Sequence, residues 1–398
     1  MKPITTSRRR ARTGAALLAV CSAAACMGGT EYVQTTFHPV TDYGRTLNDL
    51  FYNTFWWTMP ILFLVLGLIV YIVIRFREQP GRPAPKRIHG NTMLEVAWTF
   101  IPAMIVTFIA VPAVIAVFDD YRRASEDALE VEVIGHQWWW EFRYPAEQVV
   151  TANNLVLPVG REIHLRIWSA DVVHSFWLPR VGGKRDAMPL PRTVEGERPR
   201  ANHIVFTLTE RGQWRGQCAE YCGEAHAIMA TYAQGVTVEE FAAWVASMAE
   251  PALTPESTAT TEVTGGAAPS GAIDTSTTVA NMAVLQDTLG AAAGQETLEQ
   301  EGERLFLSKA CIACHAISGT TARGVVGPNL TRFGSRPSVG AGALPNTQEN
   351  VQRWIQNPQA VKAGALMPGA GEAAGGFPAT GLTSEEVRAI AAYLVSLK

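Results

Sequence analysis

The chain has 398 residues, and its 33 Lys and Arg side chains nearly balance 36 Asp and Glu, which gives a formal net charge of −3. The length predicts two or three domains, and the charge balance excludes a basic nucleic-acid-binding protein and an acidic disordered chain. Six cysteines fall in three close pairs, a spacing more typical of metal or cofactor sites than of a disulfide framework.

The first 26 residues resemble a secretory signal. A cluster of four arginines between Arg8 and Arg12 precedes a short apolar stretch, and three alanines precede Cys26. The alanines and the cysteine are also similar to a bacterial lipoprotein cleavage site, so lipidation of Cys26 and plain signal cleavage are both open. Residues 27–49 are expected to follow as an extracytoplasmic segment.

Two uncharged stretches, at 50–74 and 96–118, exceed the roughly 20 apolar residues that cross a bilayer as a helix. The loop between them is rich in Arg and Lys, and the positive-inside rule makes this loop cytoplasmic. Residues 50–118 are therefore predicted to form a two-helix transmembrane hairpin, with everything after it outside the cytoplasm. A buried hairpin of a soluble core is the alternative.

Residues 119–250 predict a β-rich domain closed by a helix. Segments at 129–134, 162–167 and 203–208 alternate in polarity, with Gly and Pro between them. This pattern is typical of a β-sandwich or a Greek-key barrel. Thr237 and Glu240 form a capping box ahead of apolar residues at helical spacing.

Two thiols, an imidazole and a thioether lie close together in one loop of this domain, at Cys218, Cys222, His226 and Met229. These soft ligands favour copper or zinc over Mg²⁺ or Ca²⁺. Two thiolates can each bridge two metals, and His174 upstream offers a second imidazole. A disulfide or a zinc site is the alternative, and Met229 disfavours zinc because methionine is a poor zinc ligand.

The pattern C-x-E-x-C-x-x-x-H-x-x-M, with an upstream D-x-x-H, resembles the copper A domain of cytochrome c oxidase subunit II. The resemblance covers residues 45–250 and implies a cupredoxin-like Greek-key barrel with a dinuclear copper centre. The ligands that it implies are His174, Cys218, Cys222, His226, Met229 and the backbone carbonyl of Glu220.

The same resemblance implies roles for three side chains around the copper ligands. The carboxylate of Glu220 would reach a magnesium ion at the boundary with subunit I, and Trp138 would receive electrons from a cytochrome c. Glu95 would lie near the mouth of a proton channel of the catalytic subunit. Core packing for Trp138 and a helix-start charge for Glu95 are the alternatives. Ala170 stands where an acidic neighbour of Asp171 is common in the family, which weakens docking of an external cationic partner.

Residues 251–298 contain no aromatic side chain and no Lys or Arg. Such a segment cannot bury enough apolar surface to offset its ordering entropy, so a flexible linker is predicted. Its length corresponds to a span of about 35–40 Å as a coil. The linker would keep the following domain at a high effective concentration near the copper site.

Residues 299–398 contain the c-type haem attachment signature C-x-x-C-H at Cys311, Cys314 and His315. A Gly-Pro-Asn-Leu segment with Pro328 follows, and a Met-Pro pair contains Met367. This segment resembles an all-α class I cytochrome c. The resemblance implies covalent haem on the two cysteines, His315 as proximal ligand oriented by Pro328, and Met367 as distal ligand, a pair that raises the haem potential.

Together the two resemblances predict the electron-input subunit of a haem–copper oxygen reductase. Electrons from cytochrome c or another periplasmic donor would pass through haem c and the copper pair to subunit I, where oxygen is reduced to water and protons are pumped. Subunit III is a further expected partner, and nucleic acid is not. The protein is expected in the bacterial cytoplasmic membrane as a multi-pass protein with extracytoplasmic soluble domains.

Two other functions are alternatives to this prediction. A copper-containing nitric oxide reductase would use a similar electron-input module, and only its partner subunit would distinguish it. A membrane-anchored copper carrier would need exchangeable ligands, which a buried six-ligand set does not offer. Nitrous oxide reductase would need a large propeller domain, and quinol-oxidising relatives lack the copper ligands found here.

Overall fold

The computed structural model describes residues 34–77, 80–81, 89–189, 201–250 and 296–398. The predicted signal segment with Cys26 and residues 251–295 of the predicted linker lie outside these ranges. Most of the basic loop between the two apolar stretches lies outside them as well.

Two long apolar helices precede the soluble domains, α1 (Asp42–Arg75) and α2 (Thr92–Asp120). Both are long and apolar enough to cross a membrane, which agrees with the predicted spans. α1 begins well before the uncharged stretch because the side chain of Thr41 accepts a hydrogen bond from Gly44 N and caps the helix there.

The described part of residues 119–250 forms two mixed five-stranded sheets. The strands are β1 (Leu129–His136), β2 (Trp139–Tyr144), β3 (Val149–Ala152), β4 (Asn154–Pro158), β5 (Glu162–Ser169), β6 (His174–Trp177), β7 (Arg185–Ala187), β8 (Asn202–Thr207), β9 (Gly212–Cys218) and β10 (Ala230–Val236). One sheet has the order β3-β2-β1-β5-β8 and the other the order β4-β10-β9-β6-β7. This is the predicted cupredoxin-like β-fold.

Alternating apolar side chains of both sheets form one core. In β5 every second residue is buried, as the polarity pattern predicted. Trp140 and Phe176, from different sheets, pack edge to face with ring centroids 5.1 Å apart. Helix α3 (Val238–Ala249) closes the core by placing Trp244 against Tyr144, and its Thr237–Glu240 capping box is present as predicted.

Residues 296–398 are mainly helical, as predicted. The elements are α4 (Leu298–Ser308), α5 (Cys311–Cys314), the hairpin β11 (Ser338–Val339) with β12 (Leu344–Pro345), α6 (Gln348–Gln356), α7 (Pro358–Val361) and α8 (Ser384–Ser396). The short hairpin was not predicted, because two-residue strands leave no polarity pattern. α4 and α8 each begin with a capping box and pack against one another.

We predict that Gly302→Ala destabilises this helical domain. A Cβ on Gly302 would lie 2.0 Å from the carbonyl oxygen of Ala389, so the two helices must separate. Overpacking of this kind costs about 1–3 kcal/mol. Thermal unfolding of the full chain, followed by haem absorbance, measures the loss. Gly371→Ala is the matched control, because its Cβ would meet nothing within 4 Å, and equal effects of the two substitutions would contradict the prediction.

Candidate copper and haem sites

The second sheet brings the predicted copper ligands together from three positions along the chain. β6 begins at His174, β9 ends at Cys218, and β10 starts directly after Met229. Cys218 pairs with Phe176 across β6 and β9, and its amide donates to the carbonyl of Met229 at 2.9 Å. The loop between β9 and β10 is thereby held against the start of β6, and it carries Cys222.

Four donor groups surround the two cysteine sulfurs, which makes six donors in all. The Sγ atoms of Cys218 and Cys222 are 3.7 Å apart. Cys218 Sγ lies 3.8 Å from His174 Nδ1 and 3.2 Å from the carbonyl oxygen of Glu220. Cys222 Sγ lies 3.6 Å from His226 Nδ1 and 3.8 Å from Met229 Sδ. Each sulfur therefore faces one imidazole and one weaker donor.

The thiols of Cys218 and Cys222 influence each other's pKa. The hydrogen bond between them lowers the pKa of the Cys218 thiol and raises the pKa of the Cys222 thiol. A pair that already favours one thiolate binds soft metal ions with release of the remaining proton. The buried, soft donor set fits copper, and the two separate thiols give no sign of the alternative disulfide.

Asp171 orients the imidazole of His174 by a contact with the ring nitrogen that does not face Cys218. Its Oδ1 lies 2.8 Å from His174 Nε2, which directs Nδ1 towards Cys218. Burial lowers the pKa of His174, but the hydrogen bonds with Asp171 and Cys218 outweigh burial and raise the pKa. Outer carboxylates of this kind fix the tautomer and the ring orientation of a metal-binding histidine.

We therefore expect Asp171→Asn to weaken copper binding about 10–100-fold. An amide at this position accepts the Nε2 proton more weakly and provides no negative charge to balance the metal. Copper affinity is measured by competition with a chelator on the full chain. Asp127→Asn is the control, because Asp127 is exposed on the same domain. Unchanged affinity in Asp171→Asn would show that the carboxylate does not support the site.

The loop between β1 and β2 lies over the copper site. The indole Nε1 of Trp138 donates to the carbonyl of Cys222 at 3.0 Å, and Gln137 Nε2 donates to the same oxygen at 2.8 Å. The amide of Gln137 also donates to Asp171 Oδ2 at 2.7 Å. Trp138 is therefore joined to a predicted ligand residue by one hydrogen bond, which packing alone would not require.

Two other predicted residues lie at the periphery. The side chain of Glu220 is exposed, and its Oε1 accepts from the amide of Tyr221 at 3.3 Å. Glu95 lies in the first turn of α2, about 38 Å along the helix from Asp120 at a rise of about 1.5 Å per residue. The structure therefore does not bring Glu95 to the copper site.

In the helical domain, Cys311 and Cys314 lie in the single turn of α5, and His315 follows directly. His315 Nδ1 donates to the carbonyl of Pro328 at 2.9 Å, which leaves Nε2 available for an iron. Burial lowers the pKa of His315, which favours the neutral form that binds metal. Met367 packs against the core of this domain. Two free thiols next to a tethered imidazole fit covalent haem.

Sequence reasoning missed two functional features. Gln137 belongs to no recognisable motif, although its backbone amide and side chain join Asp171 to Cys222. Lys362 of the helical domain was not noticed, although its Nζ donates to the carbonyl of Trp138 at 2.7 Å. An isolated lysine in sequence carries no signal for such a contact.

The fold and the donor groups define a membrane-anchored electron-transfer protein with a cupredoxin-like domain and a cytochrome c domain. Profiles for cytochrome c oxidase subunit II match its transmembrane domain at residues 34–115 and its periplasmic domain at 146–236, and a cytochrome c profile matches 299–398. The family implies copper in the first soluble domain, and the cytochrome c domain implies haem.

Cytochrome c oxidase subunit 2 of Alkalihalophilus pseudofirmus is 31% identical over 347 residues, covering 85% of this chain and 84% of the relative. The Bacillus subtilis protein of the same name is 29% identical, covering 83% and 82%. The chain belongs to the cytochrome c oxidase subunit 2 family and is thus a subunit of a haem–copper oxidase, an oxidoreductase. Its family context places it beside subunit I.

Among solved structures, the periplasmic domain of subunit II of cytochrome oxidase from Bradyrhizobium japonicum is 31% identical. The match covers 32% of this chain and 96% of the Bradyrhizobium japonicum chain, with a TM-score of 0.28. A chain of a haem–copper terminal oxidase dimer is 14% identical, covering 45% and 94%, with a TM-score of 0.22.

Proposed function

We propose that this chain accepts electrons from a soluble cytochrome c on its own haem domain and delivers them through its copper domain to subunit I. Oxygen is reduced to water in that subunit, and protons are pumped. The observation that carries the proposal is the hydrogen bond from Trp138 to the carbonyl of Cys222, which connects the surface of the copper domain to the donor cluster.

The proposed copper ligands are the two sulfurs and the four groups around them, namely His174, Cys218, the carbonyl of Glu220, Cys222, His226 and Met229. The proposed haem ligands are His315 and Met367, with thioether bonds from Cys311 and Cys314 and with Pro328 orienting His315. When bound, the copper pair and the haem supply one-electron redox chemistry at potentials suited to a cytochrome c donor.

The protein groups keep the reorganisation on electron transfer small. Cys218, Cys222 and Met229 are buried, so little water rearranges when the local charge changes. Asp171 and Gln137 hold the His174 ring and the Cys222 carbonyl in place. The indole of Trp138 supplies a bonded route from the domain surface to that carbonyl, and we propose it as the relay.

Peripheral contacts are proposed for the exposed carboxylate and for the membrane hairpin. The side chain of Glu220 faces outward beside the donor cluster, where a magnesium ion shared with subunit I would bind oxygen ligands. Glu95 is proposed near the mouth of a proton channel of subunit I, and subunit III is a further partner.

We propose that the hairpin lies in the bacterial inner membrane with both soluble domains outside the cytoplasm. The proposed domain limits are 1–26, 27–49, 50–118, 119–250, 251–298 and 299–398.

The test is spectroscopic and kinetic on the full chain, purified with its partner subunits from a bacterium that has haem-attachment machinery. An electron shared by two copper nuclei of spin 3/2 gives seven hyperfine lines, and one nucleus gives four. We expect seven lines, together with oxygen uptake driven by reduced cytochrome c. A four-line signal would support a mononuclear or carrier role, and consumption of nitric oxide without oxygen uptake would support a nitric oxide reductase.

A further inference from the structure

Lys362 lies where the haem domain contacts the copper domain. It directly follows α7, and only 3% of its surface is exposed. Its Nζ donates to the carbonyl of Trp138 at 2.7 Å and to the carbonyl of Gly340, in the β11–β12 turn, at 2.9 Å. One side chain therefore joins the loop that carries Trp138 to two segments of the haem domain.

The chemistry of this contact is unusual for a lysine. Both acceptors are main-chain carbonyls, and no carboxylate within the described ranges forms an ion pair with Lys362. Burial lowers the pKa of Lys362 to about 7. Either protonation state of the amine provides the two N–H donors that these carbonyls accept. An apolar side chain would fill the same space without the desolvation cost, so the amine adds directional bonds that set one docking register.

The segment after Lys362 lies on the indole of Trp138. A Cβ at Gly364 would lie 2.9 Å from Trp138 Cη2 and 2.9 Å from Glu224 Oε2, so only glycine allows this approach. Met367, the proposed haem ligand, follows three residues later. The loop that carries the haem ligand thus rests on the residue that is bonded to the Cys222 carbonyl.

A second contact fixes the same orientation. The amide of Ala230, at the start of β10, donates to the carbonyl of Ala341 at 2.9 Å. Next to it, a Cβ at Gly342 would lie 2.6 Å from the Cβ of Ala230. The β11–β12 turn and the Met367 loop therefore both touch the copper domain, and Lys362 is bonded to both sides of this interface.

We propose that Lys362 is a positioning residue that docks the haem domain on Trp138, so that the chain's own cytochrome c domain covers this face. This inference rests on the proposed relay function. Electron tunnelling falls steeply with distance, so the docked register keeps transfer between the domains fast. A soluble donor then reduces the haem domain and does not reach Trp138.

The test uses Lys362→Met in the complete oxidase complex. The haem is reduced by a flash-activated ruthenium complex, and the single electron that leaves it is timed as it arrives at the copper centre. We expect this transfer to slow about tenfold or more, whereas flash reduction of the haem and both metal spectra stay unchanged. Hydrogen exchange of the Ala230 amide, which is bonded across the interface, is expected to accelerate about tenfold.

Lys309→Met is the matched control, since it removes a lysine of the same domain that forms a surface ion pair with Glu386. A second pair of variants opens the interface without touching Lys362. Gly342 and Gly376 both have left-handed backbones, with φ of +89° and +81°, but only a Cβ at Gly342 meets the copper domain. Gly342→Ala should slow the transfer, and Gly376→Ala should not.

The outcomes separate the two proposals. If the wild type shows the seven-line signal and fast transfer, but Lys362→Met keeps both the rate and the Ala230 protection, the positioning role is overturned. If the wild type transfers no electron between the domains, the relay function itself fails. If Lys362→Met does not bind haem, the Gly342→Ala and Gly376→Ala pair decides, and equal rates in that pair overturn the docked arrangement.

Discussion

Replacement of Cys222 by serine is expected to abolish the seven-line copper signal and to slow electron delivery to subunit I by about 100-fold or more. Cys222 Sγ lies within 3.8 Å of three other donors, Cys218 Sγ, His226 Nδ1 and Met229 Sδ. A serine hydroxyl is harder and ionises only at high pH, so it cannot bridge two soft metal ions as a thiolate does.

The measurement is low-temperature electron paramagnetic resonance of the copper-loaded complex, followed by flash-initiated transfer. Cys314→Ser is the matched control, because it removes a thiol of the haem domain and leaves the copper ligands intact. It should keep seven lines while one of the two haem attachments is lost. A seven-line spectrum in Cys222→Ser would contradict the proposed ligand set.

Replacement of Met367 by leucine is expected to remove the near-infrared methionine band of the haem. It should also lower the haem midpoint potential on the order of 0.1 V, within the roughly 0.8 V range over which axial ligands tune haem. Leucine keeps the apolar contacts that Met367 makes with the domain core but has no sulfur lone pair. Because His/Met ligation favours the reduced haem, its loss makes reduction by cytochrome c less favourable.

Potentiometric titration of the full chain measures this change. Met248→Leu serves as control, since Met248 is a buried methionine in the core of the copper domain. The copper signal should be the same in both variants. An unchanged potential and an unchanged near-infrared band in Met367→Leu would show that another group binds the sixth position.

A cytochrome domain on the same chain changes what limits electron input. In the proposed relay, docking within one molecule replaces association of a separate donor at Trp138, and a flexible linker of the predicted length would set the effective concentration. Specificity for the external donor then resides on the haem domain. The absence of an acidic side chain at Ala170 is consistent with this arrangement, because no cationic partner needs to be attracted to the copper domain directly.

Much of the architecture was predictable from sequence because it depends on local patterns. Thr237 with Glu240, Thr297 with Gln300, and Thr383 with Glu386 all form the capping boxes that begin their helices. The two apolar stretches are helices, and the alternating segments are strands. Helix caps and hydrophobic periodicity depend on residues that are close together in sequence, so they can be recognised without knowledge of the rest of the chain.

The candidate site was predictable only in part. Spacing identified Cys218, Cys222, His226 and Met229 as one donor loop, His174 upstream offered a second imidazole, and the family resemblance then implied that His174 is a ligand. That His174 lies 3.8 Å from Cys218 depends on the pairing of β6 with β9, which no local pattern encodes. The same holds for Gln137, whose two hydrogen bonds join loops that are distant in sequence.

By itself, therefore, the sequence determined the two long apolar helices, the β-rich and helical domains, and the residue types of the candidate copper and haem sites. Only the tertiary structure decided how the two redox domains meet. Nothing in the sequence distinguishes Lys362 from an ordinary solvated lysine. In the structure it is buried and donates a hydrogen bond to the carbonyl of Trp138, more than 200 residues earlier in the chain. Such a contact arises from the packing of whole domains, in which two hydrogen bonds offset part of the cost of removing the amine from water.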